Sequence, residues 1–411
     1  MPVQHERRAL AIVLATLLID MIGFGVVMPV MPSLIVQLTH APIGEAARLG
    51  GWLMFGFAVM QFLCGPVMGG LGDRFGRRPV ILASLSAFAL DYLVMGFAPT
   101  IGWLFASRAV AGIAGASFVP ASAYIADITP PERRAQNFGL IGAAFGTGFV
   151  LGPALGGLLG SFGVRAPFIA AAALAMINAT LGFFLLPESL PAGRRRPFAL
   201  ARANPFGTFR SLARRRGALT LLAAWFLWML AHQSYPAVWA FYTRLRFGWG
   251  PGAIGASLAY VGLLMALGQA FVTRRLVPRI GERRAILLGL TLGSLGFAGN
   301  AFASRGWMVY AVCTVAALQG LVFPSMNSAL SRTVAPDEQG ELQGGIASLQ
   351  SVAAILGPPV LTQAFAYFTR PGAPLQFPGA AYLLAALLSL AAIATVALFA
   401  RRAFVVKVPA A

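Results

Sequence analysis

Twelve apolar stretches, each roughly 20 residues or longer, divide this chain into two sets of six. Residues 74–82 of the first set recur as 279–287 in the second, and Gly152-Pro153 recurs as Gly357-Pro358 at the same offset of 205. Repetition at one fixed offset indicates a duplicated structural unit. Two fused membrane repeats favour a binding cavity at their interface that opens alternately to either side, as in a secondary transporter. We therefore expect six-helix halves at 1–187 and 217–411, joined by a cytoplasmic linker at 188–216.

The length of each stretch predicts a membrane-spanning helix. About 20 residues, at 1.5 Å each, cross a hydrocarbon core of about 30 Å. Lipid offers no partner to a free peptide group, so such segments must be helical. Only 10% of the residues are charged, whereas soluble proteins carry about 25%. We predict an all-α membrane protein with twelve transmembrane helices in two pseudo-symmetric halves. The approximate spans are 8–30, 48–71, 79–98, 101–125, 136–160, 166–187, 217–243, 251–276, 283–303, 306–331, 342–369 and 377–401.

The basic residues predict the orientation of these helices. The formal net charge of +19 is of the size that often marks a nucleic-acid-binding protein. However, 24 of the 31 Lys and Arg residues lie in the two termini and in the loops on the same side of the membrane. Cytoplasmic loops carry such an excess of positive charge. We therefore expect a multi-pass protein of the bacterial inner membrane, with both termini cytoplasmic and no nucleic-acid partner.

The sequence lacks the motifs of catalysis. It contains no phosphate-binding glycine loop, no metal-ligand cluster and no nucleophile paired with a base. The cysteines Cys64 and Cys313 fall in separate spans and are expected to pack as small apolar groups. We expect no enzyme activity, no cofactor and no metal, and a protein that works as a monomer.

Three charges of the first half lie within predicted spans. Asp20 and Asp91 are about 18 Å deep from the inner side, and Arg108 is about 10 Å deep from the outer side. A charge at the bilayer centre costs at least ~2.5–3.5 kcal/mol, so it needs a role. One interpretation is a fixed ion-pair network; the other is a proton site, because burial and a nearby arginine together adjust how readily an acid exchanges its proton. Gly23 and Gly25 beside Asp20 favour a proton site there. For Asp91 both interpretations remain open, and Arg108 is expected to keep one acid ionised.

The second half lacks these charges. Trp225, Gly296 and Cys313 stand at the 205 offset from the three charged positions. Its spans instead supply aromatic rings and amides, which suit an amphipathic organic ligand. His232 is either a hydrogen-bonded packing residue or a titrating group, and the sequence leaves both open. The candidate ligand-contacting residues are Gln61, Trp225, Trp228, His232, Gln233, Trp239, Gln269, Gln319 and Asn327.

Several motifs resemble a known family. Residues 69–78 (GGLGDRFGRR) resemble the signature loop between spans 2 and 3 of the major facilitator superfamily, and Arg108 with Gly112 resembles its span-4 motif. Residues 148–157 resemble the span-5 motif of drug–proton antiporters, and 20–32 resemble span 1 of tetracycline-efflux antiporters. The resemblance covers nearly the whole chain. It implies a twelve-helix fold that exports drugs in exchange for protons, with Asp20, Asp91 and Arg108 as the functional span charges.

The same resemblance implies a gate at the inner surface. It gives Asp73 and Arg77 a gating role, with Asp127 at the inner end of span 4 as their partner. Asp127 can meet an arginine of the 74–78 loop only if spans 2 to 4 converge. Gly152-Pro153 in span 5 is interpreted either as a bending point or as a close packing contact.

Two positions depart from the family pattern. Tetracycline exporters carry a histidine in span 8 and an acid in span 9, where this chain has Met265 and Gly293, although Gln269 matches. Coupling would then rest on Asp20 and Asp91, with His232 as a substitute. We expect an exporter of amphipathic organic compounds driven by inward proton flow. The alternatives are a proton-linked importer of a small metabolite, and an uncoupled lipid-handling or receptor-like protein on the same scaffold.

Overall fold

The computed structural model describes residues 3–115, 118–198, 216–334 and 338–399, most of which are helical. The first half contains α1 (Val3–Val27), α2 (Met31–Thr39), α3 (Ile43–Phe75), α4 (Arg77–Phe97), α5 (Ile101–Gly115), α6 (Phe118–Ile128), α7 (Arg134–Gly160) and α8 (Ala166–Leu185). The second half contains α9 (Arg216–His232), α10 (Ser234–Phe247), α11 (Pro251–Leu267), α12 (Arg274–Ile280), α13 (Glu282–Phe302), α14 (Gly306–Ala316), α15 (Val322–Ser331), α16 (Gln339–Thr369) and α17 (Ala380–Phe399). The predicted all-α fold is confirmed. Of the predicted linker, 199–215 lie outside the described residues.

The spans agree with the sequence prediction except at the seventh. Within the described ranges, 11 helices are long and apolar enough to cross a membrane. The predicted span 217–243 is instead two consecutive helices, α9 and α10, which meet at Gln233. Pro236 explains the break, because proline has no N–H to donate to the carbonyl group of His232 four residues earlier. The interruption falls where the sequence places several candidate ligand-contacting residues.

The described residues form two compact units. The first unit lies within Met1–Ala41, Leu53–Pro205 and Trp249–Gly262. The second lies within Pro42–Trp52, Phe206–Gly248 and Leu263–Ala411. Each unit is mainly one half of the sequence. The exceptions are the beginning of α3, which belongs to the second unit, and most of α11, which belongs to the first.

Helices α1 and α7 of the first unit pack closely against each other. A methyl group added at Gly152 would lie 2.7 Å from the Cα of Gly25, and one added at Gly156 would overlap the carbonyl oxygen of Val26. Small residues four apart allow two membrane helices to approach backbone to backbone. Pro153 does not end α7, which continues to Gly160. Asp20 lies on the same helix as Gly25, five residues before this contact with α7.

We expect Gly156→Ala to destabilise the protein by the ~1–3 kcal/mol that overpacking costs, because the obstructing atoms belong to the backbone of α1. Gly142→Ala is the matched control, since Gly142 lies on the same helix and an added methyl group meets nothing within 4 Å. Thermal unfolding of the purified variants in detergent would compare them. Equal midpoints for the two variants would contradict the packing described for α1 and α7.

Candidate functional site

The first unit contains a buried ion pair. Arg108 on α5 forms a salt bridge with the carboxylate of Asp91 on α4. Asp91 is only 2% exposed, and the guanidinium carbon of Arg108 lies 5.6 Å from the ring centroid of Phe57. Charges buried in a low-dielectric interior are tolerated when each compensates the other. Of the two acids that the sequence offered as partners of Arg108, the structure therefore pairs it with Asp91.

Asp20 lies in a different environment. Its Oδ1 accepts a hydrogen bond of 3.2 Å from Nδ2 of Asn178 on α8. The same Nδ2 donates to the backbone carbonyl of Thr16 on α1 at 3.1 Å. Tyr92 lies nearby, since a methyl group added at Gly23 would be 3.1 Å from its hydroxyl oxygen. The three span charges therefore separate into a neutralised pair and an acid whose side-chain partner is an uncharged amide.

The three residues predicted to form a gate meet around Arg77. Its guanidinium lies 2.6 Å from Oδ1 of Asp73, and its Nε lies 3.4 Å from Oδ2 of Asp127. Helices α3, α4 and α6 therefore converge at this point, as the pairing of Asp127 with the 74–78 loop requires. A neighbouring arginine, Arg78, donates instead to the carbonyl of Phe183.

The beginning of the linker contributes further contacts to the cluster around Arg77, which the sequence analysis missed. The backbone N–H of Arg77, the first residue of α4, donates to Oε1 of Glu188 at 2.9 Å. Ser189 donates to Oδ2 of Asp127 at 3.2 Å, and the N–H of Arg196 donates to the carbonyl of Asp73 at 3.0 Å. A carboxylate is favourable at a helix N-terminus, where backbone N–H groups are unpaired. The acid directly after Pro187 was the available sequence signal.

Gly76, immediately before α4, allows this arrangement. It adopts a φ of 107°, which side-chain-bearing residues rarely adopt. A methyl group added there would also overlap the carboxylate of Glu188. The glycine of the signature loop is thus required both by its backbone conformation and by the close approach of the linker.

An aromatic cluster surrounds His232 in the second unit. The His232 ring centroid lies 4.5 Å from that of Trp228, 5.7 Å from that of Tyr235 and 5.9 Å from that of Phe297. Both ring nitrogens of His232 are buried and have no hydrogen-bond partner among the described residues. Tyr235 also lies 5.5 Å from Trp239. The break between α9 and α10 thus places a histidine with free hydrogen-bonding capacity among three aromatic rings, one of which also contacts Trp239.

The remaining ligand candidates are dispersed. Trp225 is buried in a hydrophobic core, with its ring 5.4 Å from that of Phe323. Gln61 donates to the carbonyl of Gly115, and Asn327 accepts from Gln343. The structure therefore places Trp228, His232 and Trp239 in one cluster. Two further amides pack against glycines in the second unit: Gln233 against Gly357, and Gln269 against Gly320.

Comparison with known proteins identifies the family. The family model described as Major Facilitator Superfamily matches residues 13–358 and 279–410. The chain belongs to the Major Facilitator Superfamily. The tetracycline resistance protein of class C from Escherichia coli is 44% identical over 361 residues, covering 88% of this chain and 90% of that protein. The class G protein from Vibrio anguillarum is 40% identical, covering 83% and 86%. The crystal structure of the human organic anion transporter MFSD10 (TETRAN) matches with a TM-score of 0.69 at 25% identity, covering 96% of this chain and all of that one.

Membership of the superfamily confirms the predicted fold of twelve spans and makes this a multi-pass membrane protein.

The structure also shows why Gly293 can stand where the resemblance leads one to expect an acid. A methyl group added at Gly293 would lie 3.0 Å from Oε1 of Gln319, and Gln319 is only 2% exposed. The Gln319 amide on the neighbouring helix thus occupies the space that a longer side chain at 293 would need.

Proposed function

We propose that this protein exports amphipathic organic compounds from the bacterial cytoplasm in exchange for protons. In this proposal it is a monomer in the inner membrane with both termini cytoplasmic, and it carries out no chemical conversion of its substrate. The observation that carries the proposal is Asp20, an acid within a spanning helix whose side-chain hydrogen-bond partner is the neutral amide of Asn178. The similarity to tetracycline resistance proteins over most of the chain supports the direction of transport and the drug-like substrate.

Asp20 is proposed as the proton acceptor because its charge can change without breaking an ion pair. The Asp91–Arg108 pair already compensates its own charge, so protonation of Asp91 would leave Arg108 buried and uncompensated. Protonation of Asp20, in contrast, removes a charge from the membrane interior. If substrate and proton favour opposite states of the transporter, each reduces the affinity for the other by the same factor. Asp91 and Arg108 support this site by fixing α4 against α5.

The aromatic cluster around His232 is proposed to contact the substrate. Aromatic rings provide large apolar contact surface, while polar tips orient a ligand. Trp228, Tyr235 and Trp239 supply the rings, and His232 and Gln233 supply hydrogen-bonding groups at the helix break. This combination is complementary to a molecule with both aromatic and polar faces.

The gate around Arg77 is proposed to bias the equilibrium between the two access states. Asp73 is 44% exposed and Asp127 is 28% exposed, so each pair contributes at most about 1 kcal/mol. That energy shifts a two-state equilibrium about fivefold without locking it. For Gly152-Pro153, the close approach of Gly25 and the uninterrupted α7 favour a packing contact with α1 over a bend.

The test is transport in inverted membrane vesicles that contain the protein. We expect an inside-acid pH gradient to drive accumulation of amphipathic drugs inside these vesicles, because their interior corresponds to the outside of the cell. A protonophore added to the same vesicles is the control, and it should abolish accumulation. Substrate movement out of the vesicles under the same gradient would indicate an importer. Binding with no response to the gradient would indicate an uncoupled lipid-handling or receptor-like protein.

A further inference from the structure

Asn178 links two helices at the proposed proton site. It is 2% exposed and lies on α8, which carries no ionisable side chain. Its Nδ2 group makes both hydrogen bonds described above, to the carbonyl of Thr16 and to Oδ1 of Asp20. Thr16 and Asp20 are one turn apart on α1, so a single amide spans one helical turn of the neighbouring helix.

This geometry fixes the direction of the hydrogen bond to Asp20. An amide nitrogen has two hydrogens, and here each faces an acceptor. Turning the amide over would allow its oxygen to accept a hydrogen bond from the O–H of a neutral Asp20, but the Asn178–Thr16 bond would be lost. Because a carbonyl can only accept, Thr16 keeps Nδ2 facing α1. Asn178 is therefore held as a donor, and a donor stabilises a carboxylate more than a neutral carboxylic acid.

Among the residues that the structure describes, few other ionisable groups lie near Asp20. Tyr92 on α4 has an electrostatic interaction with it. On α6 the ionisable residues are Tyr124, which donates to the carbonyl of Pro187, and Asp127, which belongs to the gate. The only ionisable residue of α7 is its first, Arg134, and those of α1 besides Asp20 are within its first six residues. Asn178 is thus the polar group in direct contact with this carboxylate.

We propose that Asn178 is a positioning residue that sets the pH at which Asp20 takes up and releases its proton. By holding one N–H toward the carboxylate, it lowers the proton affinity of Asp20, so that the acid can discharge its proton toward the cytoplasm. The inference rests on the proposed function in one respect, that Asp20 is the proton acceptor.

The experiment is infrared titration of the protonated carboxyl band in purified protein, with the spectrum of Asp20→Asn subtracted to isolate Asp20. We expect Asn178→Leu, which removes the donor at similar volume, to move the midpoint upward by about one pH unit, a tenfold rise in proton affinity. Thr180→Val is the matched control, because Thr180 is exposed on the same helix and donates only within α8. It should leave the midpoint unchanged. Should Asn178→Leu fail to fold, Asn178→Ala removes the same donor with a smaller side chain.

The possible outcomes separate this inference from the proposed function. A lower stability of Asn178→Leu with an unchanged midpoint would assign Asn178 to helix packing alone and overturn the inference. A titrating band that persists unchanged in Asp20→Asn would overturn both, because Asp20 would then not be the group that exchanges protons. Loss of that band in Asp20→Asn, together with a raised midpoint in Asn178→Leu, supports both.

Discussion

Asp20→Asn is expected to reduce proton-driven export to the level of protein-free vesicles, a loss of at least tenfold, while the protein remains folded. Asparagine has nearly the same shape as aspartate, so the packing of α1 against α8 is retained. The variant cannot gain or lose a charge at this position, and that change of charge is what the proposed cycle requires there. Without it, a pH gradient has no group through which to bias the two access states.

Accumulation in inverted vesicles under a fixed pH gradient measures this effect. Glu45→Gln is the control for neutralising an acid, because Glu45 is 38% exposed and pairs only with the neighbouring Arg48 in a surface ion pair. It should transport at the wild-type rate. Asp20→Asn should still bind substrate, but with an affinity that no longer varies with pH. Wild-type export by Asp20→Asn would falsify the assignment of Asp20 as the coupling acid.

Arg108→Leu is expected to cause the largest loss of stability of any single change in the first unit, about 3–5 kcal/mol. It would leave Asp91, which is 2% exposed, charged and without its counter-charge. The double change Asp91→Asn with Arg108→Leu removes both charges together and should recover most of the loss. This non-additivity is the signature of a direct interaction, and thermal unfolding of wild type, Asp91→Asn, Arg108→Leu and the double variant in detergent would measure it. Equal stability of Arg108→Leu and wild type would contradict the ion pair.

The double variant also decides between the two roles considered for Asp91. If it folds and exports at the wild-type rate, the pair serves helix packing only. If it folds but does not export, the pair contributes to the transport cycle as well. Vesicle accumulation assays on the double variant distinguish these results, with its unfolding midpoint as the control for folding.

The spans followed from the sequence because they depend on hydrophobicity and chain length, whereas the duplication is inferred from residues that recur at one fixed offset. The broken seventh span was less accessible, although Pro236 was visible, because proline is tolerated in many membrane helices. Counting residues along each predicted span placed Asp20, Asp91 and Arg108 at about one depth in the membrane. It could not select the partner of Arg108, since that choice depends on the rotation of each helix about its axis.

Residues that contribute through hydrogen bonds of uncharged groups could not be recognised from the sequence as members of the candidate site. Asn178 is one polar residue in an apolar span, and only its distance to Asp20 distinguishes it from a packing residue. Trp225 was predicted as a ligand contact because the second half supplies aromatic side chains; the structure buries it together with Trp228 in one hydrophobic cluster, and its contact with a ligand stays a prediction. Glu188 was assigned to the linker between the halves because the residues around it are polar and rich in proline. The structure shows that its carboxylate also caps α4.

The contacts of Glu188, Ser189 and Arg196 determine where this polypeptide can be divided. Co-expression of the two halves as separate chains requires a break between them. A break before Pro187 would remove the cap of α4 and the acceptor for the Tyr124 hydroxyl from the fragment that needs them. A break after Phe198 would leave all of these contacts within the first fragment. Residues 187–198 therefore act, by their contacts, as part of the first six-helix half rather than as a free connection between the halves.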